Sequence, residues 1–203
     1  MLLYANGDSH TAPDFGYVNI VAEDFNYDLI NQAQSGSSNA SILRRTREYL
    51  EHTTPDFVII GWSTWEREEW YHNNQYYTVT ASGTNSVPKE LENKYKQWVT
   101  EQTSDRQSEK SVEWHERIYS FHLELEQKNI RHLFFNCMYD FIRKKQTYNW
   151  NASFVEPYDR DHSYYHYLKN KGLQPDEWYH YEADGHKVWA EFLINYIKEN
   201  KLI

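Results

Sequence analysis

The chain lacks several features that mark common classes of protein. It has one cysteine, Cys137, so no internal disulfide can form and nothing suggests secretion. No apolar run approaches the roughly 18 residues that cross a bilayer, and the first residues lack a basic segment followed by an apolar one. We therefore expect a cytoplasmic protein that does not have a membrane as a partner.

Positive charge is also scarce. The 203 residues include 21 Lys and Arg against 30 Asp and Glu, which gives a formal net charge of −9. Such a surface repels phosphate backbones and anionic membranes, so nucleic acid is not an expected partner. Aromatic residues are plentiful instead, with 18 Tyr and 8 Trp. We expect some of them to be exposed, where they can stack on flat ligands or sugar rings.

Short apolar strands alternate with amphipathic helices in the first part of the chain. Strands are predicted at 1–4, near 27–31 and at 57–60. Residues 37–39 offer helix-capping side chains, and apolar residues then recur at helical spacing up to about His52. This alternation predicts a mainly parallel sheet with helices packed on it.

The rest of the chain contains one long irregular stretch. Residues from about 62 to 110 are polar and rich in Tyr, Trp and Asn, and we interpret them as an insertion after the third strand. Within it, the charge run Glu66 to Glu69 around Arg67 is typical of a solvated helix face. The alternative is that this run, flanked by Trp62, Trp65 and Trp70, forms the wall of a ligand groove. Four elements follow the insertion: a helix at 114–125, a strand at 130–135, a short helix near 163–171 and a last helix from Ala183. Because no linker interrupts these elements, we expect a single domain over 1–203.

Polar loops follow the first three predicted strands. Gly7-Asp8-Ser9 follows the first strand, 31–36 the second and 61–64 the third. The carboxyl ends of parallel strands lie at one edge of the sheet, so these loops should converge there. Ser9 could then be a nucleophile, provided that a base takes its proton and donors hold the oxyanion. The ordinary alternative is that Ser9 caps a helix starting near Thr11.

Two of these loops resemble the first two sequence blocks of the SGNH/GDSL hydrolases. Gly7-Asp8-Ser9 looks like the block that carries the nucleophile, and Asn31 through Gly36 is similar to the block whose glycine gives an oxyanion N–H. The resemblance implies an α/β fold, a three-layer αβα flavodoxin-like sandwich with a mainly parallel sheet of about five strands. It makes Ser9 the nucleophile and Gly36 an oxyanion donor, with no cofactor or metal.

The third block departs from the family pattern. Where the family has Gly-x-Asn-Asp, this chain has Gly61-Trp62-Ser63-Thr64, so Ser63 occupies the position of the oxyanion asparagine. Serine is shorter than asparagine, and loss of one such donor costs about 10²–10³ in rate in a serine protease. Either catalysis is slow or another donor from the insertion replaces the asparagine. The run from Gly61 to Trp70 is also similar to a variant third block of SGNH-like proteins from tailed bacteriophages.

The C-terminal part is similar to the last block of the family, Asp-x-x-His followed by a helix. Gly185-His186-Lys187-Val188-Trp189-Ala190 resembles the start of that helix. By this resemblance His180 is the general base and Glu177 is the carboxylate that orients it, with Asp176 as a substitute. The competing pair is Asp184 and His186, which only one residue separates.

Three functions are compatible with these residues. The first is a serine esterase that hydrolyses a carbohydrate O-acetyl or another small acyl ester through an acyl-enzyme. The second is a weak or inactive module that binds carbohydrate, with Trp65 and Trp70 of the insertion along the binding groove. The third is a component of a virus particle, associated with the virion.

Overall fold

Four short apolar segments form a parallel sheet at the centre of the protein. The computed structural model describes residues 1–81, 87–141 and 147–203. These contain the strands β1 (Leu2–Asn6), β2 (Asp28–Asn31), β3 (Phe57–Trp62), β4 (Glu68–His72), β5 (Gln75–Val79) and β6 (Arg131–Asn136). The central sheet has the order β2-β1-β3-β6, and every neighbouring pair is parallel. This order matches the first four strands of a flavodoxin-like sheet.

Helices cover both faces of this sheet. They are α1 (Tyr17–Asp24), α2 (Asn39–Leu50), α3 (Glu92–Thr100), α4 (Ser104–Gln127), α5 (Tyr164–Asn170) and α6 (Ala183–Glu199), with short 3₁₀ helices at Lys89–Leu91 and Arg160–His162. Because side chains alternate along a strand, Leu3 and Ala5 pack with α1, α5 and α6, whereas Tyr4 packs with α2 and α4. The predicted three-layer αβα sandwich is confirmed.

The helices begin and pack largely as their sequences indicate. Ser38 caps α2, since its Oγ accepts a hydrogen bond from the Ser41 amide at 3.2 Å. On α4, Trp114, Ile118 and Phe121 are all buried, as their helical spacing predicts. Helix α1 was not predicted. It has eight residues, and no side chain caps its N-terminus.

The sheet is smaller than expected, with four strands in the described residues instead of about five. The segment beside β6 makes only one parallel bridge, between Phe134 and Phe154. A longer strand does not form there because Ala152 and Glu156 have left-handed backbone conformations, with φ of 61° and 32°. Pro157 adds a residue without an N–H to donate.

The stretch from 62 to 110 contains more regular structure than its sequence predicts. It includes the antiparallel hairpin of β4 and β5, helix α3 and the start of α4, while residues 82–86 lie outside the described part. The predicted aromatic groove in this stretch is wrong, because Trp65 and Trp70 are only 3% and 7% exposed. Trp65 packs into the core and Trp70 packs against α3. Among the described helices, none has the length and apolar character needed to cross a membrane.

Candidate active site

The loops after the central strands surround a cleft at the carboxyl edge of the sheet. Its volume is about 440 Å³, and it is lined by Ser9, Gly36, Thr64, Arg67, Tyr139, Trp178 and His180, among others. Ser9 lies in a tight turn after β1, in which the Asp8 carbonyl accepts hydrogen bonds from Thr11 N at 3.0 Å and Ala12 N at 3.1 Å. The predicted convergence of the first three loops is therefore present in the structure.

Ser9 and His180 are in direct contact across the cleft. The two residues are 171 positions apart in the chain, and Ser9 Oγ lies 2.8 Å from His180 Nε2. A neutral imidazole that accepts the serine proton at Nε2 carries its own hydrogen on Nδ1. This Nδ1 lies 3.6 Å from Asp176 Oδ2, so the ring is held between the serine and a carboxylate.

The carboxylate beside His180 is Asp176 and not Glu177. Residues 176–180 form a tight loop in which Asp176 Oδ1 accepts hydrogen bonds from the amides of His180 at 2.7 Å and Trp178 at 2.9 Å. The bond from the His180 amide is the main cause that lowers the pKa of Asp176. Glu177 is exposed, and its side chain makes no hydrogen bond or ion pair within the described residues. The predicted spacing of three residues fails because the loop folds back on Asp176.

The competing pair of Asp184 and His186 lies outside the cleft. His186 is buried at the start of α6, and its Nδ1 accepts a hydrogen bond from the Tyr17 amide at 3.3 Å. Burial lowers the pKa of His186 to about 4. Asp184 is exposed in the first turn of α6. His186 is therefore a neutral core histidine that cannot reach Ser9 from this position.

Two backbone amides can serve as oxyanion donors. Gly36 has a φ of 77°, a left-handed conformation that favours glycine, and it lines the cleft with Ser9. In the described part of the chain, neither the Ser9 amide nor the Gly36 amide has an acceptor. Both N–H groups are thus available for a ligand oxygen.

Solved structures with the same fold are distant in sequence. The psychrotrophic esterase EstA from Pseudoalteromonas sp. is 14% identical, with a TM-score of 0.51 over 98% of this chain and 97% of that chain. TesA is 12% identical, with a TM-score of 0.53 over 100% of both chains. The chain has the SGNH/GDSL hydrolase fold. Neither a family model nor a curated protein sequence matches it.

At the third block, the structure of the cleft differs from the sequence prediction. Ser63 is 5% exposed, and its Oγ accepts a hydrogen bond from Arg67 Nη1 at 2.8 Å. The residues of this loop that line the cleft are Thr64, Glu66 and Arg67. Arg67 is not on a solvated helix face, because it precedes β4 and turns inward toward Asp8, at 3.2 Å. Its place in the cleft agrees with the alternative that the charge run walls a ligand groove, although the flanking Trp65 and Trp70 are buried.

Asp8 is a buried anion next to Ser9 in the cleft. Its Oδ1 accepts a hydrogen bond from the His10 amide at 3.0 Å, which stabilises the turn around Ser9. Burial by itself raises the pKa of Asp8, but His10 and Arg67 more than offset it, so the pKa lies below its usual value. Asp8 therefore stays ionised and can hold Arg67 in place.

Exposed aromatic residues lie on the loop that carries the histidine. Trp178 and Tyr179 are 71% and 57% exposed, and with Tyr139 they line the cleft. Tyr179 has a left-handed φ of 67°, which is costly for a residue with a bulky side chain. Part of the exposed aromatic surface expected from the composition is thus at the C-terminal loop. In the insertion, Tyr71 and Tyr76 are exposed, whereas Trp65 and Trp70 are buried.

Proposed function

We propose that the protein is a serine esterase that hydrolyses carboxylic esters. The observation that carries this proposal is the 2.8 Å contact between Ser9 Oγ and His180 Nε2 in an open cleft. The free amides of Ser9 and Gly36 support it, because a developing oxyanion needs such donors. The fold, shared with an esterase, is consistent with this chemistry but does not decide it.

In the proposed reaction the Ser9 hydroxyl attacks the ester carbonyl carbon. The hydroxyl proton passes to His180 Nε2, and the tetrahedral intermediate carries its negative charge on the former carbonyl oxygen. His180 then returns the proton to the leaving alcohol as the carbon–oxygen ester bond breaks, which leaves an acyl-enzyme on Ser9. Water then attacks the acyl carbon while His180 takes one of its protons. The bond between the acyl carbon and Ser9 Oγ breaks, the acid leaves, and His180 returns the proton to Ser9 Oγ. Asp176 orients His180 and stabilises its protonated form.

The substrate class we favour is a carbohydrate O-acetyl ester or another small acyl ester. Trp178 and Tyr179 present flat apolar surface at the cleft, of the kind on which sugar rings stack. A cleft of about 440 Å³ accommodates a small ligand. The net charge of −9 favours neutral substrates over anionic ones.

The test is covalent labelling followed by hydrolysis assays. EstA has been solved inhibited by monoethylphosphonate, so an ethylphosphonate ester is the probe we choose. We expect it to modify Ser9 in the wild type, and we expect Ser9→Ala to lose both labelling and hydrolysis of an aryl acetate and an O-acetylated sugar. Ser35→Ala is the matched control, because Ser35 lines the same cleft without contacting His180. A folded wild type that is neither labelled nor active would refute the proposal.

The second candidate function is a module that binds carbohydrate without cleaving it. The exposed Trp178 and Tyr179 are the observation that favours it, because aromatic side chains in a cleft can bind sugars without any catalysis. Binding of an O-acetylated sugar by both the wild type and Ser9→Ala, with no acetate released by either, would favour this function over the esterase.

A further inference from the structure

Arg67 lies where three loops of the active site meet. Its Nη1 donates to Asp8 Oδ2 at 3.2 Å, to Ser63 Oγ at 2.8 Å and to the Ser37 carbonyl at 3.3 Å. Asp8 precedes the nucleophile, Ser37 follows the oxyanion glycine, and Ser63 stands where the family has its asparagine. The guanidinium is therefore anchored beside both predicted backbone donors of the oxyanion hole.

The anchored guanidinium also has N–H donors that are not used in hydrogen bonds to the described residues. Only Nη1 has partners in the described residues, so Nε and Nη2 remain without an acceptor there. The side chain lines the cleft together with Ser9 and Gly36, and it is 27% exposed. A guanidinium has five N–H donors in a rigid fork, so one anchored nitrogen fixes the direction of the others.

We propose that Arg67 is the third oxyanion donor of this site. It takes the role of the family's asparagine, whose position Ser63 occupies in this chain. This inference rests on the proposed esterase function. One N–H of Arg67 contacts the former carbonyl oxygen as its charge develops, alongside the amides of Ser9 and Gly36. No proton is transferred from Arg67, which stays protonated throughout. Asp8 and Ser63 hold the guanidinium in place before substrate arrives, so little reorganisation is needed in the transition state.

If the role of Arg67 were purely structural, its substitution would affect folding rather than the rate of catalysis. Asp8 is 2% exposed at its side chain, so removal of its cation would leave a buried charge unpaired and could unfold the protein. Arg67→Lys separates the two roles. A lysine ammonium can pair with Asp8, but it has no second nitrogen to offer to the substrate. Arg47→Lys is the matched control, because Arg47 makes its ion pair with Glu124 away from the cleft.

The experiment measures kcat and KM for an aryl acetate with both variants, after thermal unfolding has shown that each is folded. For Arg67→Lys we expect kcat to fall about 10²–10³-fold while KM changes less than about threefold, the pattern of a contact made only in the transition state. Arg47→Lys should keep wild-type constants. In Arg67→Ala, if it folds, added methylguanidine should restore part of kcat.

The results that overturn the inference are distinct from failure of the esterase proposal. An active wild type with an unchanged kcat in Arg67→Lys would show that Arg67 only balances the charge of Asp8. A rise in KM alone would make Arg67 a binding group for the ground-state substrate, which also overturns the inference. A wild type that is neither labelled by phosphonate nor active refutes the esterase itself, and the inference with it.

Discussion

At the scale of single residues, the carboxylate next to the histidine is at a different position in the structure than the family's sequence spacing predicts. Asp176 lies one residue before the position predicted for the orienting acid, and its Oδ2 is 3.6 Å from His180 Nδ1. Two backbone amides fix its other oxygen. This carboxylate is solvent-exposed, so water screens its effect on the imidazole.

We therefore expect Asp176→Asn to reduce activity moderately. The predicted fall in kcat for an aryl acetate is about 10- to 100-fold, less than the roughly 10⁴-fold effect of a buried triad aspartate. The introduced amide side chain could still accept the backbone hydrogen bonds through its oxygen, so the loop should keep its shape. Glu177→Gln is the neighbouring control and should leave kcat unchanged. If Glu177→Gln lost activity and Asp176→Asn kept it, the assignment of Asp176 would be wrong.

The residues that the sequence could predict are those whose role depends on local order. Ser9 and Gly36 each lie in the loop that follows a predicted strand, and His180 lies at a fixed distance before a recognisable helix start. Arg67 could not be predicted in the same way, because its place depends on contacts with Asp8 and Ser37 that the fold creates across 59 and 30 residues. The charge run was compatible with a solvated helix face or with the wall of a ligand groove, and it did not indicate these contacts.

At the scale of elements, helix α6 sets the position of the histidine loop. Gly185 in its first turn faces Tyr181, the residue that follows His180. A Cβ on Gly185 would lie 2.5 Å from Tyr181 Cβ, a distance that side-chain rotation cannot relieve. Tyr181 is 4% exposed and its hydroxyl donates to the Tyr165 carbonyl at 3.0 Å, so it has little room to move.

Gly185→Ala should accordingly push the histidine loop away from α6. We expect a loss of about 1–3 kcal/mol in the free energy of unfolding, the usual effect of overpacking a core. The rate of phosphonate labelling at Ser9 should also fall, because Tyr181 moves together with His180. Chemical denaturation and the labelling rate measure these two effects. Lys187→Ala, an exposed position on the same helix, should change neither; an equal loss there would mean that the effect is not specific to the contact between Gly185 and Tyr181.

Elements with strong periodicity were predictable, and those that depend on distant partners were not. Helices α2, α4 and α6 show apolar residues at helical spacing. Helices α2 and α6 lie close to their predicted positions, whereas α4 begins at Ser104, ten residues before the predicted start. Helix α1 has no capping side chain and spans only eight residues. The hairpin of β4 and β5 buries only Trp70 and Val79, and these pack with α3, a contact that the sequence pattern does not reveal.

At the scale of the whole molecule, histidines are buried on both sides of the sheet. His186 packs among the aromatic residues near α1, and His132 on β6 lies in the opposite layer. Burial lowers the pKa of each to about 4. Nδ1 of His132 lies 2.9 Å from the Ile130 carbonyl, and its Nε2 lies 2.8 Å from His122 Nδ1, so the ring is satisfied in its neutral form. Composition revealed that histidines were present, but not that folding keeps these two uncharged.

This burial predicts that stability falls as the solution becomes mildly acidic. Unfolded histidines bind protons near pH 6.5, whereas His132 and His186 remain neutral in the fold down to about pH 4. The unfolded state therefore binds more protons between these values, so stability is complete above pH 6.5 and decreases below it. The expected slope is on the order of 1.4 kcal/mol per pH unit for each histidine. Urea unfolding between pH 7.5 and 5 measures it, above the range in which the depressed pKa of Asp8 matters.

His186→Asn isolates one of the two contributions. The amide oxygen of the introduced asparagine can accept the hydrogen bond from the Tyr17 amide, but this side chain cannot take up a proton in this range. We expect the slope to fall by the contribution of one histidine. His52→Asn, at the exposed end of α2, should keep the wild-type slope. A slope that is the same in all three proteins would mean that His186 does not resist protonation in the fold, and the stability of the molecule at pH 5 would then have to depend on other groups.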